Sequence, residues 1–133
     1  MTAGIVSPMA FLHPGALIDP TADIADWAIV HEKVTLREGV TLGAGVTVRY
    51  GATVGRDVTI AHDSLVDTGA LLCTEAHVGC FVYIGPQAVV CDGAVIGSGA
   101  LIGHQVFVAV GATVAPNAVV PCRSFLDAIT GGG

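Results

Sequence analysis

The chain is short of charge: only 12% of its 133 residues are Asp, Glu, Lys or Arg, with five cations against eleven acids. The net charge is −6 and the cations (Lys33, Arg37, Arg49, Arg56, Arg123) are scattered, so nucleic acid and anionic membrane surfaces are not expected partners. None of the four cysteines forms a CxxC pair, which leaves no zinc-ribbon spacing. Long apolar runs are missing as well. The composition is 53% hydrophobic, yet Asp, Glu, Arg, His or Gly interrupts nearly every stretch. Nothing approaches the roughly 20 apolar residues of a membrane span. The first nine residues have neither a basic start nor a long apolar core, so no secretion signal is expected and the expected location is cytoplasmic.

What the chain has is a period. From Ala10 to Arg123 it divides into nineteen consecutive hexads without an insertion or deletion. The third place is always Leu, Ile or Val, and the first is Ala or Val in every hexad except the one that starts at Ser64. No α-helix has a period of six. A hexad with two inward apolar places followed by small residues marks a parallel β-helix in which each block makes one strand and one turn. Three hexads close a triangular coil. The expected fold is therefore all-β, a triangular prism of about six 18-residue coils with no inserted loops. The expected organisation is one domain: a lead-in over 1–9, the β-helix over 10–123, and a short cap with a flexible tail over 124–133.

The second place of each hexad points outward and sorts by face. One face reads Phe11, Ile29, Thr47, Leu65, Tyr83, Leu101, Val119, and the next Leu17, Thr35, Thr53, Leu71, Val89, Phe107, Phe125. The third, Asp23, Thr41, Thr59, His77, Val95, Thr113, is largely polar. Two apolar outer faces predict an oligomer that buries part of them. β-branched and aromatic residues also suit strands for their own sake, which offers a plainer account. Cys73 and Cys91 fall on neighbouring coils about 4.8 Å apart, the spacing of adjacent strands. Small thiols filling a turn in a reduced compartment are expected there rather than a disulfide.

The repeat resembles the hexapeptide-repeat transferases, the left-handed β-helix superfamily that includes the UDP-N-acetylglucosamine O-acyltransferases. That resemblance implies left-handed winding, a homotrimer and active sites in clefts between subunits. Ile60-Ala61-His62-Asp63 is similar to the segment that carries the general base in the lipid A acyltransferases. By that likeness His62 would remove a proton from an acceptor hydroxyl or amine as it attacks a thioester, and Asp63 would orient the imidazole. The donor implied is an acyl-coenzyme A or an acyl carrier protein thioester, the acceptor a small molecule, and no metal is expected. The chemistry is sound: a neutral imidazole titrates near working pH, as proton abstraction requires. A solvated turn histidine is the alternative reading.

Hexads three apart share a corner. His62 and Asp63 share theirs with Asp26, Trp27, Cys80 and Ser98, whereas His13, His31, Arg49, Tyr50, Asp67, Thr68, His104 and Cys122 share another. In a trimer a neighbour could bring Arg49, Asp67 and His104 to the His62 cleft as substrate-binding residues. Ala88 to Gly97 resembles the later repeats of γ-class carbonic anhydrases. Anchored on His62, however, the other two zinc positions of that family would be Asp26 and Asp67, and one histidine with two carboxylates argues against a working anhydrase. An acyltransferase-like protein is the leading expectation, and two departures from the transferases leave a non-catalytic trimeric interaction module as the alternative. The segment Val114 to Pro121 carries no cation for a donor phosphate, and no long loop interrupts the coils.

Overall fold

A computed structural model describes residues 3–127. Among them are twenty strands of two residues each, from Phe11–Leu12 to Phe125–Leu126, and no helix. They stack into three parallel sheets of seven, seven and six strands that wind as a left-handed β-helix. Register is fixed by the period: Leu65 pairs with Thr47 on one side and Tyr83 on the other, each one coil away. A slip of one residue would turn every inward side chain outward, so the strict hexad holds the register.

First and third places fill the interior, from Ala22 and Ile24 to Val114 and Val120. First places carry the smaller side chains, Ala or Val in all but one regular hexad, and third places carry Leu, Ile or Val, which suits the close packing of three short walls. The second places stay outside: Phe11, Ile29, Leu101 and Val119 are exposed on one face, and Leu17, Leu71, Phe107 and Phe125 on the next. Phe107 and Phe125 stack with ring centroids 5.2 Å apart. Among the outward second places of the third face, Val95 is the one large apolar side chain that is exposed among the described residues.

Both ends differ from the expected boundaries. Phe125–Leu126 pairs with Phe107–Val108, so the strand ladder runs past Arg123 into the segment expected to form a cap. Leu126 keeps the inward third place although Ser124 abandons the Ala/Val rule in the first. At the other end Val6 bridges Ile24 and the Ser7 amide donates to the Ile24 carbonyl at 2.8 Å. The lead-in thus lies as a partial rung on the third face. Open strand edges recruit whatever backbone is next to them, and the pairing therefore extends beyond the regular repeat. The last residues of the expected tail, 128–133, lie outside the described residues.

Candidate functional site

Each corner is a ladder of its own. On the His62 corner the sixth-place amide donates to the fifth-place carbonyl of the preceding coil: Gly45 to Asp26 at 3.0 Å, Asp63 to Ala44 at 2.9 Å, Phe81 to His62 at 3.1 Å and Gly99 to Cys80 at 2.8 Å. This geometry puts the sixth place in the left-handed region, with φ of +72° at Gly45 and +61° at Asp63. Glycine, Asp and Asn accept that region readily; bulky side chains do not. Trp27 and Phe81, the two aromatic residues with positive φ among the described residues, both stand on this corner (φ +64° and +56°).

His62 is about half exposed, its side chain at 51%. Its Nδ1 lies 3.0 Å from Asp63 Oδ2. An ionised carboxylate only accepts, so Nδ1 carries the proton and the Nε2 lone pair is left free. The ring is steadied on its other side by Phe81, edge-on at 5.2 Å between centroids and 85° between planes. Gly45 leaves room for the Asp63 carboxylate, because a Cβ there would meet Asp63 Oδ1 at 2.5 Å. Gly43 lies against the back of the same turn, where a Cβ would come within 2.7 Å of the His62 amide nitrogen. On the two coils before that of His62 lies a groove of about 700 Å³, lined by Ile5, Pro8, Asp23, Asp26, Thr41 and Ala44. Ser7 Oγ donates to Asp26 Oδ1 within it.

Of the expected companions, Arg49 and Asp67 meet on a different corner of the chain from His62. Asp67 is buried, its Oδ2 accepting from the Tyr83 hydroxyl at 2.6 Å and its Oδ1 from the Thr68 amide at 2.7 Å. Burial raises the Asp67 pKa, but the bonds from Tyr83 and Thr68 and the Arg49 guanidinium outweigh it and hold the carboxyl below its usual value. The same bond, with burial, pushes the Tyr83 phenol up to about 12. Arg49 Nη1 is 3.8 Å from Asp67 Oδ1 and half exposed. His104 lies further along this corner, partly exposed, its carbonyl accepting from the Arg123 amide at 2.8 Å. Asp26 shares the His62 corner and Asp67 does not; among the described residues no three His, Cys, Asp or Glu side chains gather to hold a metal within the chain.

Two participants escaped the sequence reading. Phe81 leans on His62, and its signal was an aromatic residue in a sixth place, where the backbone is left-handed. Ser64 was visible as the lone polar first place; it is buried, with Oγ donating to the Gly79 carbonyl at 2.6 Å and accepting from the Val82 amide at 3.0 Å. Those bonds hold the turn that carries Phe81.

The family model of the bacterial transferase hexapeptide, six repeats, matches residues 75–110. The acetyltransferase domain of PglB from Neisseria gonorrhoeae is 29% identical, with a TM-score of 0.75 over 81% of this chain and 55% of that one. Its structure in complex with acetyl coenzyme A aligns at 24% identity and a TM-score of 0.66, covering 90% of this chain and 54% of the other. PerB from Caulobacter crescentus, in complex with CoA and GDP-perosamine, aligns at 23% identity and a TM-score of 0.68, covering 90% and 51%. The chain thus spans about half the length of these proteins. No curated protein matches it. In its unbroken repeat, its one-coil register and these likenesses, the chain is similar to the hexapeptide-repeat transferases, with the family model itself matching residues 75–110.

Proposed function

We propose that the protein transfers an acyl group from a coenzyme A thioester to an amine or hydroxyl of a small molecule, with His62 as general base. The observation that carries this reading is the imidazole itself. Asp63 fixes its protonated nitrogen, Phe81 holds its plane, and the basic nitrogen stands free on a half-exposed ring, one coil on from the Gly43 and Ala44 end of a groove. Nε2 takes the proton from the acceptor as its nitrogen or oxygen bonds to the thioester carbonyl carbon. Collapse of the tetrahedral adduct breaks the carbon–sulfur bond, and the departing thiolate takes the proton from the imidazolium. The likeness to an acetyltransferase domain at 29% identity supports the same class of reaction, and two of the aligned structures hold acetyl coenzyme A or CoA.

The acceptor lies in that groove, with Thr41 and Asp26 along its wall. The protein works as a homotrimer in which the two apolar faces are partly covered. A neighbouring copy then brings the Arg49 and His104 corner to the His62 cleft, supplying the cation that the Val114 to Pro121 segment lacks. Asp67 shapes that corner by holding Tyr83 rather than by touching substrate, since both its oxygens are engaged. A donor carried on an acyl carrier protein would reach the same cleft.

The test is release of free thiol from acetyl coenzyme A with a panel of amino sugars and simple amines. Wild type turns over, and His62→Ala loses about a hundredfold to ten-thousandfold in kcat with an unchanged melting temperature. His77→Ala, on the polar face, keeps full activity. Equal rates for wild type and His62→Ala would overturn the assignment. A trimer without turnover on any donor would make the chain an interaction module.

A further inference from the structure

We infer that Ser64 is a positioning residue for His62, acting through the turn at 79–82; its effect on turnover rests on the acyl-transfer reading, its effect on the imidazole on hydrogen-bond geometry alone. On this corner four first-place amides close the turn before them by donating three residues back, whereas those of Ser64 and Val82 do not. Ala28 donates to Ala25 at 3.4 Å, Val46 to Gly43 at 3.3 Å, Ala100 to Gly97 at 3.3 Å and Ala118 to Ala115 at 3.2 Å. At 79–82 a side chain from the neighbouring coil stands between the two groups instead. Ser64 Oγ gives its proton to the Gly79 carbonyl at 2.6 Å and accepts the Val82 N–H at 3.0 Å. The hydroxyl sits as a wedge that bridges the two ends of the turn.

That turn presents Cys80 and Phe81. It is held from the next coil too, where Ser98 Oγ accepts the Cys80 amide at 3.0 Å. Two serines from opposite sides therefore fix a four-residue turn whose exposed aromatic residue sits in a backbone region unfavourable to it and lies edge-on to His62. The fold has no need of the wedge. Eighteen of the nineteen regular hexads place Ala or Val where Ser64 stands, and their coils stack in the same register. A buried hydroxyl in place of an aliphatic group gains little for the coil unless both its bonds are made. What it changes is the shape of the one turn that touches the imidazole.

The test uses the full chain with Ser64→Ala, Ser64→Val and Ser64→Thr. Val46 and Val82 fill the same place in the coils on either side, so the valine and threonine variants suit the packing and differ from each other only in the hydroxyl. Nuclear magnetic resonance of the His62 ring protons reads the Phe81 ring current directly. The expected result is that this displacement is lost in the alanine and valine variants and kept in the threonine variant. With it, kcat falls about tenfold in the first two while KM stays within about twofold, and threonine restores it. His62 signals identical in wild type and all three variants, or valine and threonine variants that cannot be told apart, would overturn the inference. Ring-current loss in a protein that transfers no acyl group would sustain the positioning and overturn the catalytic reading alone; normal transfer with an unmoved His62 spectrum would do the reverse.

Discussion

Set side by side, the His62 and Asp67 corners share one backbone ladder and use their fourth places differently. Along the His62 corner those places are Ala25, Gly43, Ala61, Gly79, Gly97 and Ala115; along the other they begin His13, His31, Arg49 and Asp67. A large polar fourth-place side chain reaches back over the face and meets its neighbours, as Asp67 meets Tyr83 and Arg49. Small fourth places leave nothing for His62 to meet except its own neighbour Asp63 and the edge of Phe81. On the first corner the His62 ring has a side-chain partner for Nδ1 alone, whereas on the second Asp67 has both its oxygens engaged. In a scaffold this regular, chemistry is available where the repeat leaves a polar atom unengaged.

The sharpest way to break that contrast is to remove Asp67. Asp67→Ala strips the acceptor from the Tyr83 hydroxyl and the Thr68 amide and should cost about 2–3 kcal/mol, the range for bonds to a charged group. Ala61 and Ala115 occupy the same hexad place on another corner, so the backbone accepts the change. His62→Ala, by contrast, should leave urea unfolding within about 0.5 kcal/mol of wild type, as expected for an exposed side chain. A loss from His62→Ala as large as that from Asp67→Ala would mean that both corners are structural.

A smaller effect separates the corners by pH. Tyr83 ionises at about 12 in the folded chain against an ordinary 10. A pKa raised by folding contributes stability that is whole below the unfolded value and disappears as pH climbs through the folded one. The Asp67 carboxyl is shifted the opposite way, so its share is present above the ordinary carboxylate range and is lost in acid. Tyr83→Phe should therefore cost about 1–2 kcal/mol near neutrality, and the gap from wild type should narrow between pH 10 and about pH 12. Denaturation midpoints across that window check it, and a gap that stays constant through it would show that the Tyr83–Asp67 bond does not form.

Why the sequence revealed one corner better than the other follows from how each is built. Counting by 18 placed Asp26, Trp27, Cys80 and Ser98 with His62 because backbone position in a coil is set by the period alone. The Tyr83–Asp67 bond joins an outward second place to a fourth place, a reach of side chains that column counting does not contain; Tyr83 was read simply as part of an apolar face. Ser64 was conspicuous as a break in the first place, but its meaning lay in a carbonyl and an amide of the next coil. The ends were missed for a different reason. Val6 and Phe125–Leu126 join the ladder because exposed strand edges offer donors and acceptors, whether or not the flanking hexad is regular.

The smallest expected effect comes from Arg49. Its guanidinium is 3.8 Å from Asp67 and half exposed, so solvent screens the attraction and the flexible side chain gives up entropy to hold it. Asp67 already has Tyr83 and Thr68 on its two oxygens and does not depend on the cation. Arg49→Ala should accordingly change unfolding stability by less than about 0.5 kcal/mol, and raised salt should leave the wild type and the variant equally stable. If Arg49 instead serves the cleft of a neighbouring copy, the same variant should raise KM for the coenzyme A donor several-fold at unchanged kcat, since a phosphate contact made equally in ground and transition states affects binding alone. Unchanged KM with unchanged stability would leave Arg49 outside the site and place the donor's phosphates against a different surface.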